Sequence, residues 1–265
     1  MFQKFAITLG SYTLTSMRLH YLLPKINGIP VLMYHHIMPG NPEMNLSTVT
    51  VDQLREQWGY LKAKNYICLS LPKFLSIISG KEPAPKKSFL LTFDDGYLNN
   101  LNYAYPMLQE FGWQATIFLI GINLKKDMHP ASEDHEKLNV TQLSKIDPNI
   151  MQFGMHGYDH ENFSDLSIAE ADNVVKQMIG AFDESGLQYF KVLAYPFGAR
   201  PKKGKFRQLE SIFQTEGIIA AFRVGNKPQV TTPRNSYQLK RIDIRGSDSI
   251  KDFAIKLEKG KLKPF

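Results

Sequence analysis

The chain has 265 residues, 43% hydrophobic and 12% aromatic, which suits an ordinary globular protein with one sizeable core. Its single cysteine, Cys68 in the apolar stretch YICLSL, excludes an internal disulfide framework and reads as a buried core thiol. The formal net charge of +7 suits an anionic partner or surface, but its densest cluster, ARPKKGKFR at 199–207, has no nucleic-acid motif or aromatic platform beside it, so no nucleic-acid partner is expected.

Taken in chain order, residues 1–26 are read as an N-terminal helical extension and 27–265 as one domain. The segment FAITLGSYTLTSM is diluted by threonine and serine, has no convincing small-residue cleavage site, and falls short of the roughly 20 apolar residues a membrane span needs. A helix carrying Phe2, Phe5, Ile7, Leu9, Met17 and Leu22 would instead pack on the domain or rest on a membrane surface. IPVLMYHHI (29–37) then reads as a buried strand running into the turn-rich MPGNPE. Thr50 and Gln53 form a capping box ahead of a helix with Leu54, Trp58 and Leu61 on one face. YICLSL is a short strand, LPKFLSIISG a short helix, and KEPAPKK a stiff connector.

SFLLTFDDGYLNN (88–100) supplies the next strand, Phe89 to Phe93, and LNYAYPMLQEFG the helix after it. ATIFLI is a strand, and a polar excursion, NLKKDMHPASEDHEK, leads to the strand MQFGMHG. Ser167 and Glu170 cap a long helix; KVLAYPFG ends in a Pro-aromatic-Gly turn; then come the helix FRQLESIFQTEG, strands IIAAFRV and LKRIDIR, and a closing helix in SDSIKDFAIKLEKG. Strands alternating with helices, without an internal repeat, predict an α/β fold: a distorted (β/α) barrel of about seven parallel strands in a single domain.

In such barrels chemistry gathers where strands end. Those ends carry His35 and His36, Asp94 and Asp95, His156, the YPFG turn, and Arg241. His156 and His160 in HGYDH are four apart, which on a helical turn places both imidazoles on one face; with a carboxylate they make a two-histidine, one-acid set suited to zinc with open positions for water and substrate. HGYDH lacks the glutamate of an HExxH protease, and the adjacent carboxylates of FDDG do not match the two-residue spacing of aspartyl-phosphate phosphatases.

TFDDGY, HGYDH and YPFG, in this order after successive strands, resemble the three central motifs of the polysaccharide deacetylases, carbohydrate esterases acting on chitin-like and peptidoglycan polymers. The resemblance implies a metal-dependent N-deacetylase of N-acetylhexosamine units. In it Asp94 is the general base acting on a water at the metal, and Asp95, His156 and His160 hold the ion. The ion is zinc by preference, with Co2+ or Ni2+ also accepted by this ligand set. The backbone N–H of Phe197 in the YPFG turn would share the oxyanion of the tetrahedral intermediate. Two departures from the family pattern matter. No histidine follows His160 to act as the acid, and VLMYHHI resembles the first strand of the circularly shifted branch that deacetylates poly-N-acetylglucosamine, which makes His35 the preferred acid over His36. Strand alternation would send these two histidines to opposite sides. The arginine usually found two residues before the proline is Ala194 here, and Arg241 is the candidate replacement, its alternative being a surface ion pair. Tyr97 is a candidate site-wall or sugar-stacking residue.

The substrate expected from this reading is an N-acetylated glycan or glycolipid, with an anionic one favoured by the ARPKKGKFR rim, and a cytoplasmic location at the inner face of the membrane; export is the rival. Two other function classes stay open: a metal-dependent amidase of small cyclic amides or ureides, and a non-catalytic glycan-binding relative.

Overall fold

The computed structural model describes residues 24–40, 47–125 and 136–260. The expected N-terminal extension up to residue 23, the turn at 41–43, and residues 126–135 of the polar excursion lie outside the described residues. The last residue of that extension is tied to the domain: the Ile26 N–H donates to the Glu258 carbonyl at 2.8 Å. No helix among the described residues is long and apolar enough to cross a membrane.

Seven parallel strands close a barrel. In chain order they are β1 (Val31–Tyr34), β5 (Ser88–Phe93), β6 (Ala115–Leu119), β7 (Met151–Met155), β8 (Val192–Ala194), β9 (Ala220–Val224) and β10 (Leu239–Asp243). β1 pairs with β10 through Leu32↔Ile242, and with β5 through Val31↔Leu90 to Tyr34↔Phe93, which closes the ring. A further strand, β4 (Ile67–Leu69), pairs with Ser88–Leu90 of β5, while β6 pairs with Thr92 and Phe93. Because β1 occupies the opposite edge of β5, β4 and β6 share one edge in succession, and the barrel is splayed there.

Period-two alternation sorts the strand residues into two apolar layers. Val31, Leu90, Phe118, Val192, Ala220 and Phe222 belong to one cluster, and Leu32, Leu91, Ile117, Met155, Leu193 and Ala221 to another. The first lines the barrel and the second faces the helices. Helix α2 (Leu71–Ile78), N-capped by Ser70, contributes Leu71, Phe74 and Ile77 to the inner cluster, with Phe74 stacked on Phe222 at 5.9 Å between centroids. It plugs the end at which the strands begin and leaves the other end for the polar residues.

The expected capping boxes are formed: Thr50 with Gln53 opens α1 (Val51–Ala63), and Ser167 with Glu170 opens α5 (Ile168–Ser185). Between β5 and α3 (Tyr105–Phe111), Asn100–Ala104 is wound as a π-helix rather than the continuous α-helix expected; Pro106, which has no N–H for the ladder, follows directly. α4 (Val140–Leu143), α6 (Lys203–Thr215) and α7 (Ile250–Lys259) are the other α-helices among the described residues. Cys68 differs from expectation in being only partly buried, at the splayed edge, where its thiol donates to the Gln114 carbonyl at 3.2 Å and burial pushes its pKa up to about 12.

IPVLMYHHI is not one strand. β1 stops at Tyr34, and His36–Met38 (β2) leaves the barrel to pair with Thr48–Thr50 (β3) in a separate two-stranded sheet. Two asparagines cause the break: Asn100 Nδ2 donates to the His35 carbonyl at 2.7 Å, and the Ile37 N–H donates to Asn99 Oδ1 at 3.2 Å. Side-chain amides thus take over hydrogen bonds that a barrel neighbour would have made.

Candidate active site

Asp94 follows β5 directly, its N–H donating to the Tyr34 carbonyl at 2.9 Å, and its carboxylate lies in the barrel mouth at 2% exposure. Burial alone would raise its pKa, but the guanidinium of Arg241, with His156 and His35 beside it, outweighs burial and holds it below the usual carboxylate value. Arg241 Nη1 donates to Asp94 Oδ1 at 2.5 Å and Nη2 to Oδ2 at 2.6 Å, a bidentate fork. Arg241 is fully buried, so it is no surface ion pair; it points inward from β10, with its guanidinium 5.3 Å from the centre of the Phe118 ring.

The next three groups converge on one oxygen. Asp95 Oδ1 lies 3.4 Å from His156 Nε2 and 3.3 Å from His160 Nε2, and one ligand atom from each residue falls within 4.8 Å of the other two. Donors about 2.0–2.1 Å from a tetrahedral ion are separated by roughly 3.3–3.4 Å, so the spacing suits a zinc-like ion. Asp95 Oδ1 is buried without a conventional hydrogen-bond donor, as a ligand oxygen should be. His156 Nδ1 donates to the Ala194 carbonyl at 2.8 Å, which fixes the tautomer that presents the Nε2 lone pair to the same point. Burial opposes ionisation of Asp95, but the two histidines prevail and hold its carboxyl well below the usual range. The residues present therefore fit a divalent cation.

HGYDH reaches this arrangement without a helix. His156 directly follows β7, and residues 156–160 form a loop in which His160 has φ +57°. The helical-turn geometry expected from the spacing is replaced by a loop held by Glu161, whose carboxylate accepts the N–H groups of Tyr158 at 3.0 Å and Asp159 at 2.9 Å. Asp95 (φ +71°) and Phe197 (φ +58°) occupy the same left-handed region. Non-glycine residues there cost about 1–3 kcal/mol each and gather at functional sites, and three of the site residues share it.

His35 and His36 do point apart. His35 Nε2 lies 3.9 Å from Asp94 Oδ2, and its Nδ1 is buried without a partner. His36 faces the other way, with Nδ1 3.2 Å from Asn99 Nδ2 and its ring 3.5 Å from that of Tyr97. The Lys137 ammonium sits 3.2 Å from the centre of the same Tyr97 ring. Excluded volume puts the two groups on opposite faces, so Tyr97 has no face free for a sugar and the stacking expectation fails. Phe197 lies in the 3-10 turn Pro196–Gly198, with its ring 68% exposed and edge-on to His160 at 4.6 Å. The turn presses on β9 so closely that a Cβ at Gly198 (φ +64°) would lie 2.3 Å from Val224 Cγ2.

Residues overlooked in the sequence are those acting through others: Glu161, Asn99, Asn100 and Lys137. The asparagine pair had a signal, two amides at the start of an otherwise apolar helix face. Glu161 had none beyond standing next to His160. We expect Glu161→Ala to weaken divalent-ion binding about 10–100-fold, the usual effect of removing a ligand's support, as measured by titration against a chromogenic chelator; unchanged affinity would show that the loop holds itself.

Residues 81–211 match the family model described as polysaccharide deacetylase. Over 205 residues the chain is 27% identical to the Bacillus subtilis (strain 168) protein YxkH, a match covering 77% of this chain but only 64% of that protein. It is 24% identical over 225 residues to the poly-beta-1,6-N-acetyl-D-glucosamine N-deacetylase of Staphylococcus epidermidis, covering 80% of this chain and 73% of that one. In architecture it is similar to the Streptococcus pyogenes deacetylase PplD solved with acetate, with a TM-score of 0.73 and 24% identity over 87% of this chain and 98% of that one. At that identity the likeness speaks to the fold.

Proposed function

We propose that the chain, whose residues 81–211 match the polysaccharide deacetylase family model, is a metal-dependent N-deacetylase that removes acetyl groups from N-acetylhexosamine units of a polysaccharide or lipid-linked glycan. The observation that carries this reading is the pairing, in one barrel mouth, of an anionic base clamped by Arg241 with a separate cation site of Asp95, His156 and His160. Similarity to a poly-N-acetylglucosamine deacetylase favours that sugar.

Asp95, His156 and His160 would hold the ion, which supplies Lewis acidity to acidify a water and polarise the acetamide carbonyl. Asp94, kept anionic by Arg241, takes the proton from the attacking water. The fork of Arg241 also fixes the carboxylate plane, so the base does not reorient during the reaction. The N–H of Phe197, which lies in a left-handed turn, would donate to the developing oxyanion. His35, across from Asp94, donates the proton that the leaving amine requires.

The test is acetate release from N-acetylglucosamine oligomers by metal-loaded and chelator-treated protein. Release that is lost on chelation and restored by zinc supports the reading. Failure on every N-acetylated glycan together with hydrolysis of small cyclic amides would establish the amidase instead, and no turnover of either would leave a glycan-binding relative. His35→Ala should lower kcat about 10²–10⁴-fold with metal content intact. Full activity in that variant, with loss in His36→Ala, would move the acid to His36.

A further inference from the structure

A cavity of about 650 Å3 lies beside the Pro196–Gly198 turn, lined by Gly198, Arg200, Pro201, Lys202 and Arg223. Its volume is in the range of small-molecule sites. It sits on the same rim as the barrel mouth but outside the ring: Arg223 alternates with the inward Phe222, and its neighbour Val224 is in register with Arg241. The 3-10 turn is the partition between the two, because Phe197 contacts His160 on one side and Gly198 lines the cavity on the other.

The lining is cationic and unneutralised. Among the described residues, no carboxylate lies within ion-pair distance of Arg200, Lys202 or Arg223. Arg223 is half-buried, its Nη1 donates to the Val224 carbonyl at 3.2 Å, and its Nε is buried with no acceptor at all. Burial, and then the positive charge of Arg200, lower its pKa, the signature of a guanidinium lacking its counter-charge. Arg200 is held in place by the Phe206 ring, 4.6 Å from its Cζ, and donates to the Pro201 carbonyl at 3.1 Å. The cavity also adjoins the start of α6, a 13-residue helix whose N-cap, Lys202, makes no side-chain cap and whose first turn holds no acid. A helix start of that kind leaves N–H donors and a positive dipole end for an anion. An unsatisfied buried donor is expensive, and Arg200, a like charge that depresses the ionisation of Arg223, favours a shared counter-ion.

We propose that this cavity binds a phosphoryl group, held by the guanidinium groups of Arg200 and Arg223 at the start of α6. The site itself does not depend on the deacetylase reading. Its use does rest on that reading: a phosphate on the sugar that bears the acetamide, or on its neighbour, would be gripped across the turn, giving preference for phosphate-bearing glycans over neutral ones. A free phosphate ion shares the chemistry, and the two sources are separable.

The experiment is calorimetric titration of metal-free protein with inorganic phosphate, N-acetylglucosamine 1-phosphate and N-acetylglucosamine, repeated with Arg223→Gln and Arg200→Gln, each checked for an unchanged near-ultraviolet circular dichroism spectrum. Both phosphates should bind, and each variant should weaken them at least tenfold. A phosphosugar binding at least tenfold tighter than phosphate identifies a glycan phosphate as the ligand; equal affinities identify free phosphate. Phosphate affinity unchanged in both variants, or no binding to wild-type protein, overturns the site. In a second arm, the ratio of kcat/KM for phosphate-bearing over neutral oligomers should fall towards one in Arg223→Gln. Phosphate binding lost in the variants from a protein that releases no acetate would keep the site and overturn the deacetylase reading alone.

Discussion

Asp94→Asn is expected to abolish most acetate release, lowering kcat by about 10²–10⁴-fold, while the protein still binds its full complement of divalent ion. The change is nearly isosteric, so packing around a side chain only 2% exposed is preserved. What changes is charge: the carboxamide takes no proton from water, and Arg241, fully buried, keeps one acceptor oxygen at residue 94 where it had two, beside Thr92 Oγ1 at 3.4 Å. Removing one partner of a buried pair destabilises by about 3–5 kcal/mol, and the remaining acceptor oxygen places this variant at the lower end. Metal analysis and acetate release on the same preparation check the assignment. Activity within threefold of wild type would remove Asp94 from the role of base, and loss of the ion would make it a ligand instead.

The alternating strands and helices were legible because each strand here is a short apolar run bounded by a capping residue, a glycine or a polar connector. The period of the pattern, however, could not show that the strand ends just before His35. Two amides from the Asn99–Asn100 pair, distant in sequence, replace the ladder there. For the same reason spacing misjudged HGYDH: four residues apart implies a helical turn, yet Glu161 and a left-handed His160 bring both Nε2 atoms to Asp95 from a loop. Arg241 illustrates the converse. Its residue type and strand-end position were visible, but whether it met Asp94 depended on barrel closure, since β5 and β10 each border β1 rather than one another. The cation site and the base are thus products of topology, and motifs show them only when their strands can be placed in a ring.

Arg241→Met should show what that closure contributes. Methionine fills much of the same volume without charge, so Asp94 is left buried without its guanidinium partner, with only His35 and His156 at 3.9 Å. The destabilisation expected is about 3–5 kcal/mol, or about 6–20 °C in Tm for a domain of this size. In the wild type the folded pKa of Asp94 is depressed, so its contribution to stability is present above the unfolded carboxylate value and is lost only as pH falls through the folded pKa. In the variant burial, which raises the pKa, is no longer opposed by Arg241, and the pKa of Asp94 moves upward. Two consequences separate this from a simple packing defect. A base must be ionised to act, so the acidic limb of the kcat/KM profile should move to higher pH. Below the raised pKa the folded variant takes up a proton that the unfolded chain does not, so its deficit against wild type should be smaller at pH 5 than at pH 8. Arg241→Met combined with Asp94→Leu removes both charges and should recover most of the lost Tm without recovering activity. A single variant whose acidic limb and pH-dependence of Tm match those of wild type would show that Arg241 does not set the ionisation of Asp94.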